Sequence, residues 1–294
     1  MQTSGTLQRP DTARTPVQAP GAFEGIAELV RARSGLILGA DKRYLVETRL
    51  APLLHREGLV DLAALVARLR RLAGSELERE VVEAMTTNES MFFRDERPFE
   101  HVRRHALPRL HEARPRGQAL RVWSAAASSG QEAYSLAMLA AECRPALADR
   151  PVQILGTDIA REPLARARAG LYTRFEVQRG LPERLLTKYF REEDAGWRLD
   201  PGLRAGVEFR EWNLLADPAP LGRFDVVFCR NVLTYFDPPT KTRVLEGIAR
   251  RMPADGYLYL GGAETTLGLT ELFRPVAGER GVYSPAPNGT TRAA

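Results

Sequence analysis

The chain has 294 residues, 44% of them hydrophobic and 27% charged, enough to bury a substantial core and to form two modest domains. No apolar run approaches the roughly 20 residues that cross a bilayer, and the opening stretch lacks the apolar centre of a signal peptide, so a cytoplasmic protein without membrane insertion is expected. The net charge of +5 comes from 42 Lys and Arg against 37 Asp and Glu, but no block of five like charges occurs and aromatics make up only 7%. The basic face with stacking aromatics that marks a nucleic-acid binder is therefore missing.

Residues 1–21, rich in Pro, Thr, Gln and Gly with no apolar period, read as a disordered leader. From Phe23 the apolar spacing turns helical, through Ile26 and Val30, then Leu45 and Leu53, then Leu62, Leu65, Val66 and Leu69. Gly35, Gly58 and Gly74 stand where helix C-caps belong, and Asp41, Asp61 and Ser75 where N-caps belong, with Ser75 and Glu78 forming a capping box. Residues 22–90 thus predict an all-helical N-terminal domain. Residues 91–116 predict a linker helix, broken at Pro108 and ended near Pro115 and Gly117.

The pattern then alternates. Strands are expected at 120–125, 152–158, 207–212, 224–230 and 257–261, with helices at 131–143, 161–169 and 240–252. That rhythm predicts an α/β fold, a doubly wound and mostly parallel sheet over residues 117–285. Residues 171–206 carry turn signals and one short alternating stretch, so a small inserted subdomain is placed there; residues 286–294 read as a flexible tail. Cys143 and Cys229 are too few for a disulfide framework and wrongly spaced for a metal site, and both read as buried thiols.

Ligands of an open parallel sheet bind beyond the carboxyl ends of its strands. The first strand ends in "SAAASSGQEAYS", a turn almost without side chains followed by a helix whose first N–H groups are unpaired. A dinucleotide fold would show G-x-G-x-x-G here, and this turn has one glycine, so a nucleotide without a pyrophosphate fits better, S-adenosylmethionine being the common one. A tight turn that merely packs helix on sheet is the alternative. Asp158 ends the second strand, where a carboxylate accepts hydrogen bonds from two ribose hydroxyls or, alternatively, caps the helix near Arg161. The strand in "FDVVFCRNVLTYFD" delivers Arg230, Asn231, Tyr235 and Phe236 to the same edge.

Together, "TTNESMFFRD", "RVWSAAASSGQEAYSLAM", "GTDI", "NLL", "FDVVFCRNVLTYFD" and "GYLYLGGAE" resemble the CheR-type chemotaxis receptor glutamate O-methyltransferases, from about Phe23 to Tyr283. The resemblance implies a Rossmann-like S-adenosylmethionine-dependent methyltransferase domain with a small inserted antiparallel β subdomain, behind a helical N-terminal domain. It implies that Asn88, Ser90 and Arg94 contact the cofactor or line the transfer site, that Asp158 holds the ribose, that Asn213 and Leu214 bracket the adenine, and that Asn231 and Tyr235 lie beside the reacting methyl. Ser90 stands where the family often has Thr, which keeps the hydroxyl. Gln131 stands where many members have a Glu that meets the cofactor's ammonium group, and is taken as the residue for that contact; Glu132 is assigned to the next position of the helix.

The implied reaction moves the sulfonium methyl to glutamate carboxylates of a chemoreceptor's cytoplasmic helical domain, leaving S-adenosylhomocysteine. A glutamate with pKa about 4.3 is already ionised at neutral pH, so no general base is required. His55, His101, His105 and His111 accordingly read as structural or surface residues. Arg94 is expected to grip the carboxylate in its planar fork and Tyr235 to orient it. Lys42, Arg49 and Arg56 are spaced by seven, so they share a helix face that could meet an acidic receptor helix, although a solvated basic face fits equally. Members that also dock on a receptor's C-terminal tether peptide tend to carry a longer loop in the insertion, and "REEDAG" is short, pointing to tether independence. The other readings are a cofactor-binding regulator without transfer activity, which Gln131 favours, and a nucleic-acid methyltransferase, for which "DPPT" is a distorted echo.

Overall fold

The computed structural model describes residues 21–148 and 150–287, so most of the expected leader and of the expected tail lies outside the described residues. The chain divides into two units by its contacts: Leu38–Ala84 with the chain up to Leu29, and Val30–Ile37 with everything from Met85.

The first unit is built on helices α1 (Ala22–Ser34), α2 (Arg43–Arg56), α3 (Leu62–Arg71) and α4 (Glu76–Met85), of which the last turns of α1 and Met85 belong to the second unit. Leu62, Leu65 and Leu69 of α3 are buried on one stripe, as helical spacing requires. Asp61 caps α3 by accepting the Ala64 N–H at 2.8 Å. Ser75 Oγ accepts the Glu78 N–H, and the Glu78 carboxylate accepts from Gly74 rather than from Ser75, one residue off the expected box. Asp41 is not a cap: it lies inside a 3-10 turn, Ala40–Lys42, and α2 opens at Lys42 without a side-chain bond. The expected basic face of α2 is largely committed within its own unit. Arg56 pairs with Glu57 and Glu80, Arg49 donates to the Ala84 carbonyl, and Lys42 sits beside Asp41.

The second unit begins with α5 (Arg97–His101), which continues through a π turn, Val102–Ala106, into α6 (Leu107–Ala113). Pro108 therefore does not break the helix. The wider turn, in which Leu107 N–H reaches back to Val102, absorbs the missing N–H and the ring's bulk. The alternating region then runs β1 (Leu120–Ala125), α7 (Gln131–Cys143), β2 (Val152–Asp158), α8 (Arg161–Ala169), β3 (Leu171–Tyr172), α9 (Arg174–Gln178), α10 (Glu183–Tyr189), β4 (Phe190–Glu193), β5 (Gly196–Leu199), α11 (Pro201–Ala205), β6 (Val207–Glu211), β7 (Val226–Cys229), α12 (Pro238–Ala249), β8 (Tyr257–Leu260), β9 (Phe273–Pro275) and β10 (Val282–Pro285).

The main sheet has the order β6-β2-β1-β7-β8-β10-β9, parallel from β6 to β8 and closed by an antiparallel pair that the sequence did not reveal. The chain moves outward from β1 through β2 to β6, then crosses to β7 on the other side, so the order reverses at β1. Side chains alternate between two cores: Leu120 and Val122 point into one with α5 to α8, while Trp123 and Ala125 point into the other with α12. Trp123 is fully buried and donates its indole N–H to Thr157 at 2.9 Å. Helix α12 starts at Pro238, earlier than expected, because Asp237 caps it through the Thr240 N–H and prolines are tolerated in a first turn.

Residues 171–206 do form an inserted unit, a three-stranded antiparallel sheet in the order β3-β5-β4 with three short helices. Phe92 anchors it, its ring edge-on to Tyr172 at 5.0 Å and to Phe190 at 5.6 Å. Glu142 of α7 ties it down again, accepting from Arg184, Lys188 and Tyr189 of α10.

The turn after β1 is the part of the fold that positions the site. Gly130 heads α7 at φ 90°, and a Cβ there would come within 2.8 Å of Ala167 Cβ and 3.0 Å of Phe209 Cζ. The bland reading of the turn is thus partly right, since its glycine is needed for packing. Gly130→Ala is expected to cost about 1–3 kcal/mol of stability through overpacking and backbone strain, read as a lower urea midpoint; an unchanged midpoint would mean that α7 and α8 can move apart freely.

Candidate active site

Beyond the carboxyl ends of β1, β2 and β7, at the point where strand order reverses, lies an open cleft. Asn88, Ser90, Arg94, Asp158, Asn213, Leu214, Asn231 and Tyr235 all line it. Segments more than a hundred residues apart are therefore brought to one place.

Asp158 is 6% exposed, and its two oxygens accept backbone N–H groups on either side of the cleft floor, Ser128 at 2.8 Å and Ala160 at 2.9 Å. It does not cap α8, whose N-cap is Ala160 without a side-chain bond. Asp158 also lines the cleft, where a carboxylate can accept from ribose hydroxyls. The turn that it braces is strained: Ala126 and Ser128 have φ of 59° and 49°, conformations that side chains disfavour. Ser128 Oγ donates to the Asn88 carbonyl at 2.8 Å, joining the segment that carries Asn88, Ser90 and Arg94 to the same turn.

Gln131 requires a correction. It is 1% exposed, is absent from the cleft lining, and accepts a hydrogen bond from Ser129 Oγ at 2.9 Å. The residue of α7 that lines the cleft is Glu132, the next one along, because the left-handed Gly130 sets the rotation at which the helix starts. Its Oε1 accepts from Ser124 Oγ at 2.8 Å and its Oε2 from Arg230 at 3.1 Å. Burial pushes the Glu132 carboxyl up, while the Arg230 guanidinium and the Ser124 hydroxyl pull it back. The cleft thus keeps an acidic side chain from the first turn of α7, at Glu132 rather than at position 131.

Asn213 donates to the Arg33 carbonyl and accepts the Leu215 N–H, which fixes the loop carrying Leu214. Leu36, Met91, Ile159 and Trp212 add apolar lining suited to a purine. Ser34 and Leu36 had no signal in the sequence, since they lie at and just beyond the end of α1, far upstream of the other lining residues. Asn231 adopts φ 59°, and Glu264 holds that strained turn by accepting from Asn231 N–H at 2.8 Å, Gly261 N–H at 2.7 Å and Thr234 N–H at 3.2 Å. Tyr235 follows on a 3-10 turn, Leu233–Tyr235, and is 38% exposed.

The donor set fits S-adenosylmethionine: two cleft carboxylates, Asp158 for ribose hydroxyls and Glu132 for an ammonium, with apolar walls between them. The comparisons with known proteins agree. A family model described as "CheR methyltransferase, SAM binding domain" matches residues 88–282, and one described as "CheR methyltransferase, all-alpha domain" matches residues 21–86. The chain belongs to the CheR methyltransferase family. Among curated relatives, "Chemotaxis protein methyltransferase 1" of Pseudomonas aeruginosa is 41% identical over 264 residues, covering 88% of this chain and 96% of that protein. "Chemotaxis protein methyltransferase Cher2" of Pseudomonas putida is 39% identical over 268 residues, covering 90% and 97% respectively. As a member of this family the chain is an S-adenosylmethionine-dependent methyltransferase of the chemotaxis type. Among its described residues no helix is long and apolar enough to cross a membrane.

Because Asp158 braces two backbone N–H groups, its removal should be felt twice. Asp158→Ala and Asp158→Asn are each expected to weaken S-adenosylhomocysteine binding by at least about 10-fold and to lower stability by about 1–3 kcal/mol, the range for orphaned buried donors. Calorimetric titration and thermal melting separate the two effects. A full-strength dissociation constant in a destabilised variant would leave Asp158 a purely structural role.

Proposed function

We propose that this enzyme transfers the methyl group to glutamate side-chain carboxylates of chemoreceptors, forming glutamyl methyl esters, at the cytoplasmic face of the membrane. The observation that carries the reading is Arg94. Arg94 lines the cleft without a side-chain hydrogen bond or ion pair to another described residue, its charge acting on the nearby Glu89 carboxyl, which lines the same cleft. A planar cation left open beside a cofactor cleft suits a carboxylate substrate.

Among the described residues no histidine lines the cleft, which supports the same chemistry. His101 is buried against the Tyr259 hydroxyl, with its Nδ1 2.8 Å away, and burial lowers its pKa. His111 bonds Arg150. Neither lines the cleft, and an ionised glutamate needs neither. When bound, the cofactor supplies an electrophilic methyl on a sulfonium. What remains for the protein is alignment: Arg94 draws in and orients the carboxylate, Tyr235 offers a hydroxyl beside it, and the Glu264-braced turn holds Asn231 and Tyr235 at the mouth. Arg94 must orient without binding so tightly that it quenches the nucleophile.

Recognition of the receptor is proposed to be independent of a tether peptide. The β4–β5 hairpin closes over Asp194 and Ala195 alone, between the paired Glu193 and Gly196, so the loop expected to lengthen in tether-binding relatives is minimal. A regulator without transfer activity is not favoured, since its support was the supposed loss of the anionic contact at Gln131.

Arg94→Lys keeps the charge and loses the fork. The methyl-transfer rate to receptor-containing membranes is expected to fall by about 10- to 100-fold, about 1.4 to 2.7 kcal/mol, with cofactor affinity within a few-fold of wild type. Transfer of labelled methyl followed by base-labile release as methanol identifies the ester. Wild-type rates in this variant, or a label that resists base, would count against the proposal.

A further inference from the structure

Arg230 stands immediately beyond β7 with its side chain 1% exposed, its guanidinium beside the packed rings of Phe99 and Phe228, 5.8 and 6.0 Å from their centroids. A buried cation requires partners, and its two arms reach different parts of the cleft. One arm, Nη1, donates to Glu132 Oε2 at 3.1 Å. The other, Nη2, donates to the Arg94 carbonyl at 2.8 Å and to Asp95 Oδ2 at 2.6 Å.

The segment gripped by the second arm is strained. Phe93, Asp95 and Glu96 have φ of 47°, 67° and 42°, so three non-glycine residues in the left-handed region flank Arg94. Such a backbone persists only where its surroundings over-determine it. Here the ties are the Phe93 N–H to Ser135 Oγ at 2.9 Å and the bonds from Arg230.

We propose that Arg230 is a positioning residue: one buried guanidinium sets the cleft carboxylate Glu132 and the strained Arg94 loop in a common frame, so that the cofactor's ammonium site and the substrate-orienting arginine are built together. This rests on the reading of Glu132 and Arg94 given above. Arg230 itself need not touch either substrate. Lysine cannot substitute fully, because a single ammonium lacks the two diverging arms.

The frame has an electrostatic consequence that a packing role would not have. Glu132 is faced by Arg230 from the end of β7, by the Ser124 hydroxyl from β1 and, at longer range, by Glu264 from the loop after β8; Asp95 lies on the far side of Arg230. Of these Arg230 is the cation. Without it, burial and Glu264 both push the carboxyl further up, so Glu132 takes a proton in the empty cleft and an incoming ammonium must displace it.

The test uses the full chain as Arg230→Met and Arg230→Lys. S-adenosylhomocysteine affinity is measured by calorimetry from about pH 6 to about pH 8.5, alongside kcat, KM for receptor membranes and the melting temperature. In Arg230→Met the dissociation constant should rise as pH falls, approaching about 10-fold per unit below the Glu132 pKa, relative to the wild-type profile. In Arg230→Lys the wild-type pH profile should return while kcat stays about 10-fold or more below wild type, because the loop is no longer held. A folded Met variant with the wild-type pH profile would overturn the proposal, as would a Lys variant with the wild-type kcat, which also covers the case in which the Met variant does not fold. Glu132→Gln with undiminished affinity would remove the reading of the cleft beneath it, and the frame with it.

Discussion

The Asp158 carboxylate is the constraint on which the rest of the site depends. It closes β2, takes the N–H of Ser128 from the turn after β1 and the N–H of Ala160 from the turn after β2, and so fixes the two strand ends at the point where the sheet's order reverses. Positive φ at Ala126 and Ser128 is energetically unfavourable, and the buried Asp158 side chain that accepts the Ser128 N–H offsets that strain. With the turn fixed, Gly130 starts α7 at one rotation only, and that rotation decides which first-turn side chain enters the cleft. The Ser128 hydroxyl then holds Asn88, and through it the segment leading to Arg94. One carboxylate thus connects the backbone geometry of the sheet to the placement of residues on both sides of the reaction.

A second layer of polar bracing repeats the logic. Glu264 accepts three backbone N–H groups and keeps Asn231 in its left-handed conformation, while a Cβ on Gly261 would meet Asn231 and Glu264 at 2.7 to 3.0 Å. Around the cleft, strained backbone occurs at Phe93, Asp95, Glu96, Ala126, Ser128 and Asn231, and the side chains of Arg230, Asp158 and Glu264 bond next to most of it. A reaction that needs no proton transfer relies on orientation, and orientation is what strained, over-determined turns supply. The arrangement places charge where it holds geometry, with Arg94 on the cleft lining among these braced turns.

What was legible in the sequence follows from how local each signal is. Strands β1 and β2 and helices α7 and α8 lie where the period of apolar residues puts them, because burial on the sheet imposes that period directly. Helix α12 was placed two residues late because a Pro-Pro pair reads as a turn unless the Asp237 cap before it is weighed. The β9–β10 pair was missed because short edge strands bury few residues and leave little alternation. The expected site residues other than Gln131 line one cleft, since each ends a strand or sits in a compact motif.

Glu132 and Arg230 escaped for a different reason, which is that their roles are set by contacts across the fold. The sequence offers Gln131 and Glu132 side by side, and their spacing favours neither; the choice is made by a left-handed glycine and by a guanidinium 98 residues away. Arg230 looked like the polar end of a strand, and nothing local distinguishes a solvent-facing arginine from one buried beside Phe99 and Phe228 with three polar partners. Burying that cation carries a large desolvation penalty, which is tolerable only if its partners are held in place. The partners are the cleft carboxylate and the strained loop, so the same penalty that makes Arg230 costly to bury penalises any movement of either away from it. Rigidity in the cleft is in this sense a consequence of charge burial, and it is exerted where the methyl donor and acceptor must be aligned.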